Sequence, residues 1–254
     1  MLAFGVFTFI HPFFPLHRKA QFAMAEALTL SSLPLFPLGT VLYPGGLLPL
    51  RIFEVRYLDM IGKCHKAGAP FGVVALTEGS EVRQRSSSKK GENPAKEAAA
   101  EAPGDGFAAE GFCNVGTLAH IADFSVPQPG LMVIRCTGMQ RFSINNSKKL
   151  KHGLWVADVT QLDEDQSVAV PEDLQPTADA LGKLIKTLQE RGITQDEMPL
   201  LPPFQLGDCG WLANRWCELL PIPLELKQRL MVLDNPLVRL ELVGDILERT
   251  GIAF

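Results

Sequence analysis

The fold is decided by residues 33–61, LPLFPLGTVLYPGGLLPLRIFEVRYLDMI. The first part of this stretch predicts a hairpin of two short apolar strands, because the Pro-Gly-Gly turn at residues 44–46 combines a fixed φ with glycines that accept positive φ. Pro49 lies in the second strand and indicates an edge strand or the end of a strand, since proline has no N–H to donate. From Phe53 the apolar residues follow a helical period, and Gly68 ends that helix. The stretch therefore predicts a hairpin followed directly by a helix.

Further short strands follow along the chain. Apolar or alternating runs predict them at residues 71–76, 115–122, 131–137 and 155–162. Gly138 interrupts this pattern and predicts a kink or a bulge. Several short strands at such intervals indicate a closed or half-closed β-barrel.

The C-terminal part of the chain has a helical period after a polar hinge at residues 163–171. One predicted helix ends at Gly192, and Asp208 is placed to cap the next one. Pro223 and Pro236 stand in the first turns of two more helices, where the missing N–H costs nothing. The links are short, so these helices predict a small bundle.

Two segments differ in composition from a packed core. Residues 1–30 predict a poorly ordered leader: the apolar run precedes its positive charges and is too short to span a membrane. Met24 is an alternative start of translation, and the small residues around it leave export open. Residues 85–111 are rich in Ser, Ala, Glu, Gly and Pro, which predicts a disordered insertion. We therefore expect a leader, a β domain at 31–165 that contains this insertion, and a helical bundle at 166–254.

The composition limits the classes of function. The 254 residues are 46% hydrophobic and carry a net charge of −4, which argues against nucleic acid as the main partner. Five scattered cysteines without a CxxC pair predict reduced thiols in a cytoplasmic protein. The sequence contains no P-loop, GxSxG, HExxH or GxGxxG motif and no zinc-ligand spacing. We therefore predict no catalytic residue, no metal, no cofactor, no membrane partner and no enzyme activity.

Several motifs in order carry a resemblance to a known family. They are the opening stretch, GAPFGVVAL at 68–76, VGTLAHI at 115–121, GLMVIRCTGMQRFSI at 130–144 and WVADV at 155–159. They resemble the substrate-binding N-terminal domain of the Lon protease family, and most of all its stand-alone bacterial form. The helical tail at 211–243 resembles the same family, whereas the insertion at 85–111 departs from it.

This resemblance implies an α+β fold, with a PUA-like, mostly antiparallel β-barrel domain followed by a C-terminal α-helical bundle. It also implies a non-catalytic module that binds unfolded polypeptide or a protein partner and is linked to proteolysis. The ATPase and peptidase domains of full-length family members are not in this sequence.

Seven residues near the turn and the strand-to-helix junction are candidates for a polypeptide site: Tyr43, Leu47, Leu48, Arg51, Glu54, Arg56 and Tyr57. The first three form an apolar patch if they are exposed, and part of the core if they are not. The charged residues form either an ion-pair clamp, with Arg51 near Glu54, or a charged rim that orients a peptide. We favour the clamp.

RNA binding is the alternative class of function, because PUA-like folds commonly bind RNA. Arg141 with Lys148, Lys149 and Lys151 could then contact phosphates. The acidic balance and the absence of aromatic residues among these cations argue against it.

Overall fold

The structure is a computed structural model that describes residues 28–79, 110–194 and 197–252. Within these residues it contains a mostly antiparallel sheet followed by helices, which confirms the predicted α+β architecture. The strands are β1 (Thr29–Leu38), β2 (Leu47–Ile52), β3 (Phe71–Glu78), β4 (Gly111–Phe112), β5 (Val115–Gln128), β6 (Leu131–Lys149) and β7 (Trp155–Gln161). The α-helices are α1 (Val55–Ala67), α2 (Gln175–Glu190), α3 (Cys209–Leu219), α4 (Leu224–Val232) and α5 (Pro236–Arg249).

The sheet closes into a barrel. The strand order β1-β7-β6-β5-β3 returns to its start because β1 and β3 pair in parallel, from Leu35 opposite Gly72 to Leu38 opposite Ala75. The predicted kink at Gly138 is confirmed by a shift in the register between β5 and β6. A Cβ on Gly138 would lie 2.1 Å from the carbonyl oxygen of Tyr43, so only glycine fits this close approach.

The predicted hairpin between β1 and β2 is wrong. β1 pairs with β7 and β3, whereas β2 pairs with β6, from Leu47 opposite Thr137 to Ile52 opposite Met132. The turn before β2 is fastened to β6, because the N–H of Gly138 donates to the carbonyl of Gly46 at 2.9 Å. The edge-strand prediction from Pro49 is confirmed, since β6 is the neighbour of β2 in the described sheet.

Two predicted boundaries are corrected by the strands. Thr29 and Leu30, expected in the disordered leader, pair with Thr160 and Val159. Gly111, expected in the disordered insertion, begins β4 and lies opposite Glu78. The rest of both predictions concerns residues 1–27 and 85–109, which lie outside the described residues.

The helices α2 to α5 pack against the barrel in one core, and α1 packs against it in another. Asp208 caps α3, as predicted, by accepting a hydrogen bond from the N–H of Trp211 at 2.8 Å. Tyr43 and Ala75 of the β region share one apolar core with the buried faces of α2, α3, α4 and α5. A second core lies between α1 and the strands, and a third consists of strand residues only. The exact division of the chain at residue 165 stays a prediction.

Candidate functional site

A groove of about 250 Å³ lies where β2 ends and α1 begins. We call it the β2–α1 groove, and its lining residues are Phe36, Leu38, Pro49, Leu50, Arg51, Ile52, Phe53, Glu54 and Tyr57. Three of the seven candidate residues, Arg51, Glu54 and Tyr57, therefore meet in one place. The sequence did not place Phe36 and Leu38 of β1 beside them.

The floor of the groove is apolar and tightly packed. The rings of Phe36 and Tyr57 stack with their centroids 4.0 Å apart and an angle of 24° between their planes. Both side chains, with those of Leu38 and Ile52, are buried. A stacked aromatic pair in a close-packed core keeps its geometry without a ligand, so the floor is formed in advance.

The rim of the groove carries apolar side chains that the fold does not cover. Phe53, which lines the groove, is 56% exposed, and Val55, two residues further along the chain, is 81% exposed. The chain turns here from β2 into α1, and the corner directs these two side chains away from the core. Large exposed apolar side chains beside a groove are typical of a surface that binds another molecule.

Arg56, not Arg51, forms the ion-pair clamp in this region. Its Nε lies 2.8 Å from Oε2 of Glu54, and its Nη2 lies 3.0 Å from Oε1 of Glu110. Its Nη1 also donates to the carbonyl of Gly153 at 2.8 Å. The predicted pairing of Arg51 with Glu54 is therefore wrong, because the buried Arg56 takes the carboxylate.

Glu110 completes this clamp, although its sequence surroundings gave no signal of such a role. Its side chain is 6% exposed and accepts hydrogen bonds from Arg56 and from Nε1 of Trp155. Burial raises the pKa of the Glu110 carboxyl, but these hydrogen bonds and the charges of Arg56 and Lys149 outweigh burial and lower it. Glu110 was predicted to be disordered because its sequence neighbours have no apolar bulk, and its partners are far away in the chain.

The predicted apolar patch at the turn is largely core. Tyr43 is fully buried, its hydroxyl donates to the carbonyl of Lys227 at 2.6 Å, and Leu48 is also buried. Arg215 of α3 donates to the carbonyls of Pro44 and Gly45, which holds the turn against the helices. Of the three patch residues, only Leu47 keeps partial exposure. The structure thus supports the core alternative for Tyr43 and Leu48.

Two of the four basic residues considered for RNA, Arg141 and Lys149, are engaged within the fold. Arg141 is buried, and its Nη1 donates to the carbonyl of Met231 at 2.9 Å. Lys149 lies 3.4 Å from the Glu110 carboxylate, which leaves Lys148 and Lys151 as the exposed cations of this set. The guanidinium of Arg141 is thus engaged by the carbonyl of Met231 and by Asp165, whose Oδ1 lies 3.4 Å from its Nη2.

A second concave region lies between the barrel and the helices. Two adjoining cavities of about 530 Å³ and about 430 Å³ share Arg141, Asp163 and Glu164 in their linings. Beneath them Arg239 is buried and donates to Asp165, to Oδ1 of Asn214 at 3.0 Å and to backbone carbonyls. We call this set, Arg141, Asp165, Asn214 and Arg239, the junction network.

None of the five cysteines is activated for chemistry. All five cysteines are free, and burial raises the pKa of each thiol, that of Cys136 to about 12, so none is an activated thiolate. Within residues 28–79, 110–194 and 197–252, no three His, Cys, Asp or Glu side chains are grouped to hold a metal ion. None of the helices in the same ranges is long and apolar enough to cross a membrane.

Comparisons with known proteins agree with this fold. The family model of the ATP-dependent protease La (LON) substrate-binding domain matches residues 32–249. A Lon N-terminal domain protein from Xanthomonas campestris has a similar crystal structure, with a TM-score of 0.61 and 27% identity over 85% of this chain and 98% of that one. The N-terminal domain of the Mycobacterium avium complex Lon protease has the same fold, with a TM-score of 0.50 and 15% identity over 84% of this chain and 96% of that one. A search of curated proteins gave no significant match. The chain belongs to the family of LON substrate-binding domains.

Proposed function

We propose that this protein binds extended, non-native polypeptide in the β2–α1 groove and catalyses no reaction itself. One observation carries the proposal: the exposed Phe53 lines a groove whose apolar floor is already formed, and the exposed Val55 follows it two residues further along the chain. A bound segment would cover these side chains, and burying apolar surface is the main driving force of association. The floor needs no ordering on binding, which removes part of the usual cost.

The backbone of β2 offers a second contribution. In an antiparallel pair, successive residues direct their N–H and C=O groups alternately to opposite edges of the strand. The carbonyl of Gly46 faces β6, where it accepts a hydrogen bond from the N–H of Gly138. By this alternation Leu47, Pro49 and Arg51 direct their backbone groups to the opposite, open edge, where Pro49 offers only its carbonyl. An extended peptide can pair with such an edge whatever its side chains are, which suits a protein that must accept many sequences.

The groove has a size that fits this role. Its volume of about 250 Å³ is sufficient for one large apolar side chain, not for a folded element. One anchor in a pocket together with backbone pairing gives modest affinity, and modest affinity allows release. A protein that delivers non-native chains to a proteolytic machine needs release as much as capture.

The proposal is tested by removing the apolar rim. We expect the double variant Phe53→Ser/Val55→Ser to bind fluorescently labelled, unfolded casein at least about tenfold more weakly than the wild type, a loss of about 1.4 kcal/mol. Fluorescence anisotropy measures the affinity, and circular dichroism verifies that the variant is folded.

The control removes two other exposed apolar side chains, which lie elsewhere on the surface. Val232 and Leu242 are 40% and 43% exposed and do not line the groove. Val232→Ser/Leu242→Ser should bind casein like the wild type. Equal losses in the two double variants, or no binding by the wild type at tens of micromolar, would refute the proposed site.

A further inference from the structure

The β2–α1 groove contains one cation without an ionic partner among the described residues. Arg51 lines the groove and is exposed. The carboxylate of Glu54, which also lines the groove, forms an ion pair with the buried Arg56. Arg135, which lies opposite Pro49 on β6, has its own partner in Asp123 at 3.6 Å. The charge that the groove can offer to a ligand is therefore that of Arg51.

We propose that the groove selects segments in which a bulky apolar side chain lies within two residues of a carboxylate. This inference rests on the polypeptide-binding role proposed above and adds a charge preference to it. The apolar floor takes the side chain, and the guanidinium of Arg51 takes the carboxylate. The carboxylate is that of an Asp or Glu side chain within the bound segment.

The distances along an extended chain agree with such a pairing. Successive residues of a strand advance about 3.3 Å and alternate between its two faces. A carboxylate one or two residues from the anchor thus stands within roughly 7 Å of it. Arg51 is itself a lining residue of the groove, so its side chain borders the space that the anchor would occupy.

A basic ligand would find no equivalent site here. It would have to take Glu54 from Arg56, which would leave a buried guanidinium with one carboxylate fewer. The exposed carboxylates Asp163 and Glu164 lie instead in the cavities between the barrel and the helices. A preference for basic segments would therefore indicate that second region and not the β2–α1 groove.

The preference is measured with four labelled octapeptides that differ only at two central positions. These positions carry Phe-Asp, Phe-Asn, Phe-Lys or Ser-Asp. We expect the Phe-Asp peptide to bind about twofold to fivefold more tightly than the Phe-Asn peptide, the range of an exposed ion pair, and the Phe-Lys peptide to bind most weakly of the three. The Ser-Asp peptide should not bind measurably, and 0.5 M salt should remove the differences among the Phe peptides.

Charge reversal separates this role from a structural one. Arg51→Glu should invert the order, so that the Phe-Lys peptide binds more tightly than the Phe-Asp peptide. Lys148→Glu makes the same change of charge at an exposed position outside the groove and should keep the wild-type order.

Each outcome decides the proposal. If the wild type binds the three Phe peptides equally, or Arg51→Glu keeps the wild-type order, the charge preference is wrong while polypeptide binding stands. If the wild type prefers Phe-Lys, the preference is also wrong. If none of the Phe peptides binds, the proposed function fails, and this inference fails with it.

Discussion

The junction network and the β2–α1 groove use arginine in opposite ways. Arg239 of the junction network is 1% exposed, and carboxylate, amide and backbone oxygens surround its guanidinium. Arg51 of the groove is exposed and stands beside Phe53, an apolar side chain that is also exposed. A buried charge whose donors are all paired holds one structure and has no free donor for a ligand. An exposed charge next to open apolar surface adds little to folding and is available to a ligand.

The largest loss of stability is expected when the junction network is broken. Arg239→Met keeps the side-chain volume but leaves Asp165 with the more distant Arg141, at 3.4 Å, as its cationic partner. Removing one partner of a buried ion pair costs about 3–5 kcal/mol of unfolding free energy. Urea denaturation measures this change.

The same substitution at an exposed arginine is the control. Arg229 is 75% exposed and lies 2.7 Å from Glu225 on the same helix. Arg229→Met should cost less than about 0.5 kcal/mol. Similar losses for the two variants would contradict the distinction between buried and exposed arginines.

A second effect appears in the pH dependence of stability. Burial raises the pKa of Glu218 to about 7, in spite of the charges of Arg215, whose Nε is 3.0 Å away, and Lys227. A carboxyl whose pKa rises on folding stabilises the fold below its unfolded pKa of 4.5, and this contribution is lost as the pH rises through 7. The loss between pH 5 and pH 8 should reach at most about 3 kcal/mol.

Glu218→Gln isolates this contribution, because the amide resembles the protonated carboxyl and does not titrate. We expect the unfolding free energy of the variant to change little between pH 5 and pH 8, whereas that of the wild type falls. Parallel pH profiles for the two proteins would show that Glu218 does not titrate in this range.

A smaller loss of stability is expected at Gly138, where β6 passes the turn at residues 44–46. Gly138→Ala would place a Cβ 2.1 Å from the carbonyl oxygen of Tyr43 and should cost about 1–3 kcal/mol through local displacement. Gly207→Ala meets open space, and its φ lies outside the left-handed region, so it should be neutral or slightly stabilising. Thermal denaturation of the two variants tests the contrast, and equal melting temperatures would contradict it.

The smallest change in stability is expected at the exposed side chains near the groove. Phe53→Ser/Val55→Ser removes exposed side chains and should change the unfolding free energy by no more than about 0.5 kcal/mol per site. A loss of several kcal/mol in urea denaturation would mean that these side chains belong to the core, not to a binding surface.

Features that depend on neighbours in the chain could be predicted from the sequence. The αL glycine that ends α1, the Asp208 cap of α3 and the edge position of Pro49 each follow from a rule about a few consecutive residues. The fold class followed from the order of such signals together with the family resemblance.

Features that depend on distant partners could not be predicted. Arg56 finds Glu110 54 residues away, so the nearby Arg51 was assigned the wrong partner. Tyr43 is buried by helices that follow it by more than 130 residues, and no local pattern distinguishes such a tyrosine from an exposed one. The parallel pairing of β1 with β3, which closes the barrel, is another long-range choice.

We expect the β2–α1 groove to bind polypeptide and the region of the junction network not to bind it. Hydrogen exchange followed by mass spectrometry, with and without unfolded casein, tests this expectation most directly. We predict that casein slows exchange in residues 47–60, including the edge amides of Leu47 and Arg51, and leaves residues 162–168 unchanged. Protection confined to residues 162–168 would contradict the account.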